Sequence, residues 1–244
     1  MDALSLALLA PPLERVLRIS LVLVLTFYLI RQFRKPSRWV GRPFLWLMNQ
    51  RHSDLTDWGL QHVQVEKNFN ILDVGCGGGR TIRKLAAMAP AGKVYGADYA
   101  SGSVAASRAN NAALIREGKV DVIQASVSNL PFAENTFDLV TAVETQYFWP
   151  DLLNDMNEVR RVLKPGGILV VIAEAYKDGG KSKAHDAVLG LIGGGCLSVT
   201  EHRDLFAKAG YSDIQLSEER KRGWICVMGT KTKSQTQDAV RFDC

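Results

Sequence analysis

The sequence has few cysteines, and their arrangement suits neither a metal site nor a disulfide framework. Its four cysteines show no Cys-x-x-Cys pair and no regular spacing to histidine: they are Cys76, Cys196, Cys226 and Cys244. Zinc sites and disulfide-rich scaffolds both depend on such spacings. The pattern therefore predicts no metal centre, and it favours a reducing compartment.

The chain also lacks an uncharged run of the length that crosses a membrane. Residues 19–30 (ISLVLVLTFYLI) are twelve uncharged residues followed by the basic cluster RQFRKPSR, whereas a spanning helix needs roughly twenty. The apolar stretch reaches back to about Leu13 if the long stems of Arg15 and Arg18 extend to the interface. We expect residues 13–38 to bind a membrane surface or to enter the bilayer, with the catalytic domain facing the cytoplasm. A cleaved signal peptide and a buried core helix are the alternatives.

Beyond its N-terminal segment the chain has no excess of charge of either sign. Residues 1–45 contain seven arginines and lysines against two acidic residues, an excess that equals the whole net charge of +5. The remaining chain is formally neutral, and a neutral domain lacks the basic surface that nucleic-acid binding requires. We therefore expect a small-molecule acceptor and no nucleic-acid partner.

The length of 244 residues fits one α/β domain with a short extension. We expect four segments: a membrane-associating segment at 1–40, a helical junction roofing the site at 41–69, the main domain at 70–231 and a polar tail at 232–244. In the junction, Asp54 or Thr56 is the expected helix cap. An insertion at 177–199 is predicted to be a mobile lid or a linker, and His185 and His202 are expected at the surface.

Apolar strand-like segments alternate with amphipathic helical ones from residue 70 onward. The expected strands are 70–75, 93–98, 120–125, 137–143, 167–173, 213–218 and 223–230, and the expected helices are 79–89, 101–117, 151–163 and 200–209. Such alternation indicates a parallel sheet covered on both faces. We predict a doubly wound α/β fold with a mainly parallel seven-stranded, Rossmann-like sheet, an antiparallel edge hairpin and an N-terminal hydrophobic helix.

Glycines crowd the first strand-to-helix turn, in the stretch NILDVGCGGGR at residues 70–80. Gly75, Gly77 and Gly79 allow the backbone to approach a nucleotide-like ligand near a helix N-terminus. The spacing departs from the dinucleotide fingerprint G-x-G-x-x-G, because Arg80 occupies the position of its third glycine. Asp98 ends the second strand, where a carboxylate can accept both hydroxyls of a ribose. Its alternative role is to cap the following helix.

Five motifs occur in the order and at the spacing of one known family. They are ILDVGCGGG, the acidic strand end at Asp98, SNLPFAENTFDLV, EVRRVLKPGGILVV and LFAKAGYSDI. Over residues 70–230 the sequence thus resembles the class I S-adenosylmethionine-dependent methyltransferases, similar to those of ubiquinone and menaquinone biosynthesis. The resemblance implies S-adenosyl-L-methionine as cofactor and methyl transfer to a small acceptor.

The resemblance and the residue pattern together assign the cofactor contacts. The residues assigned are Asp73, Gly75, Cys76, Gly77, Gly79, Asp98, Tyr99, Ser126, Val127 and Glu144. Many relatives carry an acidic residue that binds the adenine amino group where this chain has Ser126, so that contact is expected to fall to a backbone group. Asp121 is a poor substitute, because it lies at the start of its strand.

The catalytic candidates are Glu144, Tyr147 and His52. Glu144 is a base or a ligand of an acceptor hydroxyl, or else it is hydrogen-bonded to the glycine loop. Tyr147 and Trp149 present aromatic faces to the sulfonium or the substrate, or else they pack a helix. His52 reaches the site from the roof or is structural. Glu174 and Tyr176 are expected to face the same cleft.

The position of the apolar N-terminus suggests a hydrophobic acceptor, such as a quinone, sterol, terpenoid, lipid or aromatic metabolite. Two alternatives belong to other classes. One is a nicotinamide-dependent oxidoreductase of Rossmann type, which the departure at Arg80 disfavours. The other is a non-catalytic cofactor-binding protein at a membrane.

Overall fold

The computed structural model describes residues 16–22, 24–26, 53–179, 190 and 194–233. The helices are α1 (Ser53–Leu60), α2 (Arg80–Met88), α3 (Ser101–Asn110), α4 (Ala112–Arg116), α5 (Leu152–Val162) and α6 (Val199–Lys208). The strands are β1 (Asn70–Val74), β2 (Lys93–Asp98), β3 (Val120–Gln124), β4 (Phe137–Val143), β5 (Leu163–Ala173), β6 (Tyr211–Glu219) and β7 (Trp224–Lys231). A short 3-10 helix, Gln146–Phe148, follows β4.

Seven strands form one sheet in the order β3-β2-β1-β4-β5-β7-β6. The first five are parallel, and β7 is antiparallel to both β5 and β6. The prediction of a doubly wound, mainly parallel sheet with an antiparallel edge hairpin is confirmed. The strand order reverses direction between β1 and β4, which places a ligand crevice at the carboxyl ends of those strands.

Two apolar clusters cover the opposite faces of the sheet, as continuous apolar strands require. One cluster contains Phe137, Leu169 and Phe206 together with the inner face of α5. The other contains Ile71 and Ile82, where α2 packs on β1 and β2. Sequestering both faces leaves the strand ends as the place where polar groups and ligands meet.

Several boundaries differ from the expectation for local reasons. The predicted helix 101–117 divides at Asn111, whose buried side chain bonds the Gly79 and Ser107 carbonyls. β5 begins at Leu163, which pairs with Phe137 before the register shifts. These differences arise from side-chain contacts between distant segments, which periodicity does not encode.

Two further expectations were wrong. α1 begins at Ser53, so Asp54 and Thr56 lie inside the helix rather than at its cap. His202 is buried, not exposed, because α6 turns the i and i+4 residues His202 and Phe206 toward the core. Its Nδ1 lies 2.9 Å from the Ser198 carbonyl oxygen, and burial lowers the pKa of the imidazole. His185 lies outside the described residues.

The described part of the N-terminal segment is helical at residues 16–22 and 24–26. Its large apolar side chains are exposed, from 42% at Val16 to 68% at Leu21. Within the portions of the chain that the structure describes, no helix combines the length and apolarity needed to cross a bilayer. The rest of the predicted membrane segment lies outside those portions.

Helix α1 packs against the sheet through a glycine, which generates a stability prediction. A Cβ at Gly59 would lie 2.5 to 2.8 Å from three side-chain atoms of Ile172. Gly59→Ala should therefore lower the free energy of unfolding by about 1–3 kcal/mol, although alanine is the better helix former.

Chemical denaturation of the single and double variants checks this expectation. In an Ile172→Ala background the cost of Gly59→Ala should largely disappear, because the space is then available. A stabilising effect of Gly59→Ala in the wild-type background would show that the helix does not pack as described.

Candidate active site

A cavity opens at the carboxyl edge of the sheet, where β1, β2, β3 and β4 end. It encloses about 180 Å³. Its lining residues come from the loops that follow these four strands: Val74, Gly75, Asp98, Tyr99, Ala125, Ser126, Val127, Thr145, Phe148, Trp149 and Pro150. The cavity lies at the switch point of strand order, the position at which open α/β sheets bind their ligands.

Three of the four glycines in the first loop, Gly75, Gly77 and Gly79, are required there for different physical reasons. A Cβ at Gly75 would lie 2.0 Å from Thr145 Oγ1, and a Cβ at Gly79 would lie 2.3 Å from Ser107 Oγ. Packing inside the protein therefore accounts for these two. At Gly77 the nearest atom to such a Cβ is the Gly75 carbonyl oxygen, 4.0 Å away. Open space in front of Gly77 is what close approach of a ligand to the backbone requires.

Asp98 joins the loops that surround the cavity. Its Oδ2 accepts a hydrogen bond from Gly77 N at 3.0 Å, and its Oδ1 accepts one from Ala100 N at 2.8 Å. Its main-chain carbonyl accepts from Ala125 N at 3.1 Å. Burial raises the pKa of this carboxyl, and the bonds from Ala100, Gly77 and Ser103 oppose the rise. The carboxylate is thus oriented at the cavity and held beside the start of α3, whose N-cap residue is Ala100. Its contact with a ribose stays a prediction.

Asp73 lies behind the glycine loop and not in the cavity wall. Its Oδ1 accepts a hydrogen bond of 2.7 Å from Thr141 Oγ1 on the neighbouring strand. Burial raises the pKa of the Asp73 carboxyl to about 7; the Thr141 bond opposes this rise and the charge of Asp98 adds to it. The hydrogen bond from Thr141 holds the Asp73 side chain between β1 and β4, and Asp73 does not line the cavity.

The remaining cavity wall is flat and largely apolar. Val127 and Trp149 are buried in the core as well as lining the cavity, so Trp149 packs the protein and faces the ligand space at once. Tyr99 stands at the mouth and is 42% exposed. Ser126 lines the wall, and its hydroxyl accepts a bond from Ser128 N at 3.2 Å. Such walls suit a planar ring system.

Glu144 and Tyr147 are together but lie outside the cavity lining. Tyr147 Oη is 3.2 Å from Glu144 Oε1, and it accepts a bond of 3.0 Å from Ala175 N. Glu144 Oε1 also accepts from Glu174 N. Two partners of the Glu144 carboxylate are thus Tyr147, in the same segment after β4, and Glu174 N after β5.

Other predicted residues lie apart from the cavity. Cys76 turns into the core, 3.9 Å from Ser107 Oγ, and burial raises the pKa of its thiol. Tyr176 is buried and donates to Glu218 Oε1 at 2.7 Å, so neither it nor Glu174 lines the cavity. His52 lies outside the described residues.

Sequence reasoning missed five lining residues. Two are Val74, which ends β1, and Ala125, which follows β3; the other three are Thr145, Phe148 and Pro150. Their position just after β4 is the available signal, because the carboxyl ends of parallel strands meet at one edge. Their orientation depends on a positive φ of 57° at Glu144, an unusual conformation for a residue with a side chain. No sequence pattern predicts this positive φ.

Comparisons with known proteins agree with this geometry. Residues 72–171 match a family described as a methyltransferase domain. A demethylmenaquinone methyltransferase of Geobacillus sp. is 32% identical over 127 residues, covering 50% of this chain and 53% of that protein. The methyltransferase GfsG of Streptomyces halstedii is 30% identical over 172 residues, covering 67% of this chain and 60% of that protein.

The fold has a counterpart among solved structures. A crystal structure of an S-adenosylmethionine-dependent methyltransferase from Aquifex aeolicus is similar with a TM-score of 0.66 and 20% identity, over 78% of this chain and 98% of that chain. Residues 72–171 thus form a methyltransferase domain, and the fold of the chain is that of the S-adenosylmethionine-dependent methyltransferase from Aquifex aeolicus. Its alignment spans little more than half the length of the curated relatives described above.

The residues present fit the cofactor of this class, S-adenosyl-L-methionine. The oriented carboxylate of Asp98, which lines the cavity, suits a ribose. The largely apolar wall containing Val127 and Trp149 suits the adenine ring. The site residues assigned from sequence remain predictions of ligand contact, with Asp98, Gly75, Tyr99, Ser126 and Val127 lining the cavity.

The raised pKa of Asp73 generates a prediction about stability and pH. Its folded-state pKa of about 7 exceeds the ordinary value of 3.8, so the folded protein retains a proton that the unfolded chain loses. The stability that this proton confers is complete below pH 3.8 and is lost as the pH rises through 7. Asp73→Asn removes this titration. Its free energy of unfolding should therefore gain on the wild type as the pH rises, by up to about 4 kcal/mol.

Urea unfolding without added cofactor, at several pH values across this range, measures the difference. Asp121→Asn, on the edge strand β3, is the control. If the difference between Asp73→Asn and wild type does not change with pH, the carboxyl titrates normally and the structural account of Asp73 fails.

Proposed function

We propose that the protein transfers the methyl group of S-adenosylmethionine to a small, hydrophobic acceptor. The observation that carries this proposal is one cavity that combines the carboxylate of Asp98, held by Gly77 N, with a largely apolar wall. The family match supports the same reaction. No feature of the cavity favours the nicotinamide-dependent alternative, and the departure at Arg80 continues to disfavour it.

The reaction needs alignment and exclusion of water more than it needs protein acid or base groups. When bound, the cofactor supplies an electrophilic methyl carbon; its bond to sulfur breaks as the acceptor forms the new bond, and a neutral thioether leaves. Asp98 is oriented before any ligand arrives, because two main-chain N–H groups hold its oxygens. Phe148 and Trp149 present aromatic surface that favours a nearby cation.

Two observations support a hydrophobic acceptor. One similar protein carries the name demethylmenaquinone methyltransferase, which indicates a quinone-type substrate for that protein. This chain also has exposed apolar helical residues at 16–22 and 24–26, of the kind that partition into lipid. The proposed acceptors are therefore membrane-soluble: a quinone, sterol, terpenoid, lipid or aromatic metabolite.

We also infer that the N-terminal segment binds a membrane surface, with the catalytic domain facing the cytoplasm. Exposed apolar residues lie on all sides of this helix. A strongly basic sequence follows at 31–42. Apolar burial in lipid and attraction to anionic headgroups act together in such a segment. A membrane location would bring the active site to a membrane-soluble acceptor.

Replacing Asp98 tests the cofactor site. Asp98→Ala should weaken binding of S-adenosylhomocysteine by roughly a hundredfold, because a buried charged acceptor is lost, whereas Asp121→Ala should bind as the wild type does. Isothermal titration calorimetry measures both affinities.

A transfer assay tests the acceptor. Label from methyl-tritiated cofactor should enter lipids extracted from membranes, and Asp98→Ala should abolish that transfer. Label confined to water-soluble products would contradict the hydrophobic acceptor, and no binding to the wild type would contradict the enzyme assignment.

Vesicle flotation tests the membrane partner. The full chain should float with vesicles of phosphatidylcholine and phosphatidylglycerol, and the double substitution Leu21→Glu with Leu25→Glu should reduce the floated fraction at least several-fold. Leu153→Glu, at another exposed leucine on α5, is the control and should float normally. Equal flotation of the double variant and the wild type would show that this helix is not the membrane contact.

A further inference from the structure

The segment after β4, residues 144–150, forms one wall of the cofactor cavity and begins in an unusual conformation. Four of its residues line the cavity: Thr145, Phe148, Trp149 and Pro150. At its first residue, Glu144, φ is 57°. A non-glycine residue in this region costs free energy, and it persists only where surrounding contacts hold it. The contacts that hold this wall therefore determine the shape of the cavity.

Three contacts tie the beginning of this wall to the end of β5. Glu144 N donates to the Ile172 carbonyl at 2.9 Å, and Glu144 Oε1 accepts from Glu174 N. Tyr147 Oη lies 3.2 Å from Glu144 Oε1 and accepts from Ala175 N at 3.0 Å. Burial, and then the charge of Glu144, raise the pKa of Tyr147 well above its ordinary range, so its hydroxyl stays protonated and donates.

This wall packs closely against the glycine loop that follows β1. A Cβ at Gly75 would lie 2.0 Å from Thr145 Oγ1, which shows how closely the two loops approach. Thr145 directly follows Glu144, so a shift at Glu144 moves the contact with Gly75. The separation of the two loops is therefore set by the attachment of Glu144 to the β5 end.

We propose that Glu144 is a positioning residue whose carboxylate, with the Tyr147 hydroxyl, clamps this wall to the end of β5 and sets the width of the adenosine cavity. This inference rests on the proposed function, because the cavity is taken to hold adenosine. It assigns Glu144 a role other than that of a general base. Its Oε1 accepts from Glu174 N and faces the Tyr147 hydroxyl, whose other acceptor is the Ala175 carbonyl, and Glu144 does not line the cavity.

Two probes distinguish the clamp from direct contact with the ligand. S-adenosylhomocysteine contains the amino-acid group, and 5′-methylthioadenosine lacks it. Loss of a clamp should weaken both probes in parallel, because both occupy the adenosine cavity. Loss of a direct contact to the amino-acid group should weaken only S-adenosylhomocysteine.

Calorimetric titration of the full chain with both probes is the experiment. Glu144→Ala should weaken each probe about tenfold, as expected for losing a hydrogen-bonded charge. Glu144→Gln keeps an oxygen acceptor and should bind both within about threefold of the wild type. Asn135→Ala, at another residue with φ of 57° but away from the cavity, is the matched control for backbone strain and should bind normally.

Further variants keep the test decisive if Glu144→Ala does not fold. Glu144→Gly relieves the positive φ while it removes the clamp, so it should unfold near the wild-type temperature yet bind both probes about tenfold more weakly. Tyr147→Phe should weaken both probes in the same direction. These results would support the clamp.

Three results would overturn it. They are wild-type affinity in Glu144→Ala or Glu144→Gly, equal losses in Glu144→Gln and Glu144→Ala, and a loss confined to S-adenosylhomocysteine. Failure of the wild type to bind either probe is a different result, since it would overturn the proposed function and the clamp with it.

Discussion

The carboxylate of Asp98 is the interaction on which the site depends. It accepts hydrogen bonds from Gly77 N in the first loop and from Ala100 N before α3, while its main-chain carbonyl accepts from Ala125 N after β3. One residue thus joins the loops that follow three neighbouring strands. Those loops line the cavity. The need of one buried carboxylate for hydrogen-bond donors therefore holds the loops in their places around the site. The same anchoring leaves the carboxylate oriented for a ribose.

The glycine loop shows how stability and function share a short sequence. Gly75 and Gly79 make room for Thr145 and for Ser107, so they hold the loop against its neighbours, whereas the backbone at Gly77 is open and its N–H holds Asp98. Because Gly75 and Gly79 fix the loop, a ligand that approaches the backbone at Gly77 does not have to order it on binding. Substitutions at the three glycines should therefore not be read as equivalent tests of cofactor binding.

The fold followed from the sequence because alternation of apolar strands and helices is a local signal with one dominant global solution. The strand that ends at Asp98 and the turn at Gly75–Gly79 were placed correctly for the same reason. The break between α3 and α4 at Asn111 and the burial of His202 were not predicted, because each depends on contacts between segments distant in sequence. At Glu144, the positive φ and the bonds to the β5 end direct the side chain to partners that no spacing rule reveals.

The central claim is that the cavity at the carboxyl edge holds the adenosine part of S-adenosylmethionine. Hydrogen–deuterium exchange of the full chain, with and without S-adenosylhomocysteine, tests it most directly because the readout is local. The account predicts slower exchange at residues 75–79, 98–100 and 125–127, with the amino ends of the strands unchanged. Unchanged exchange at these loops under saturating ligand, or protection centred elsewhere, would contradict it.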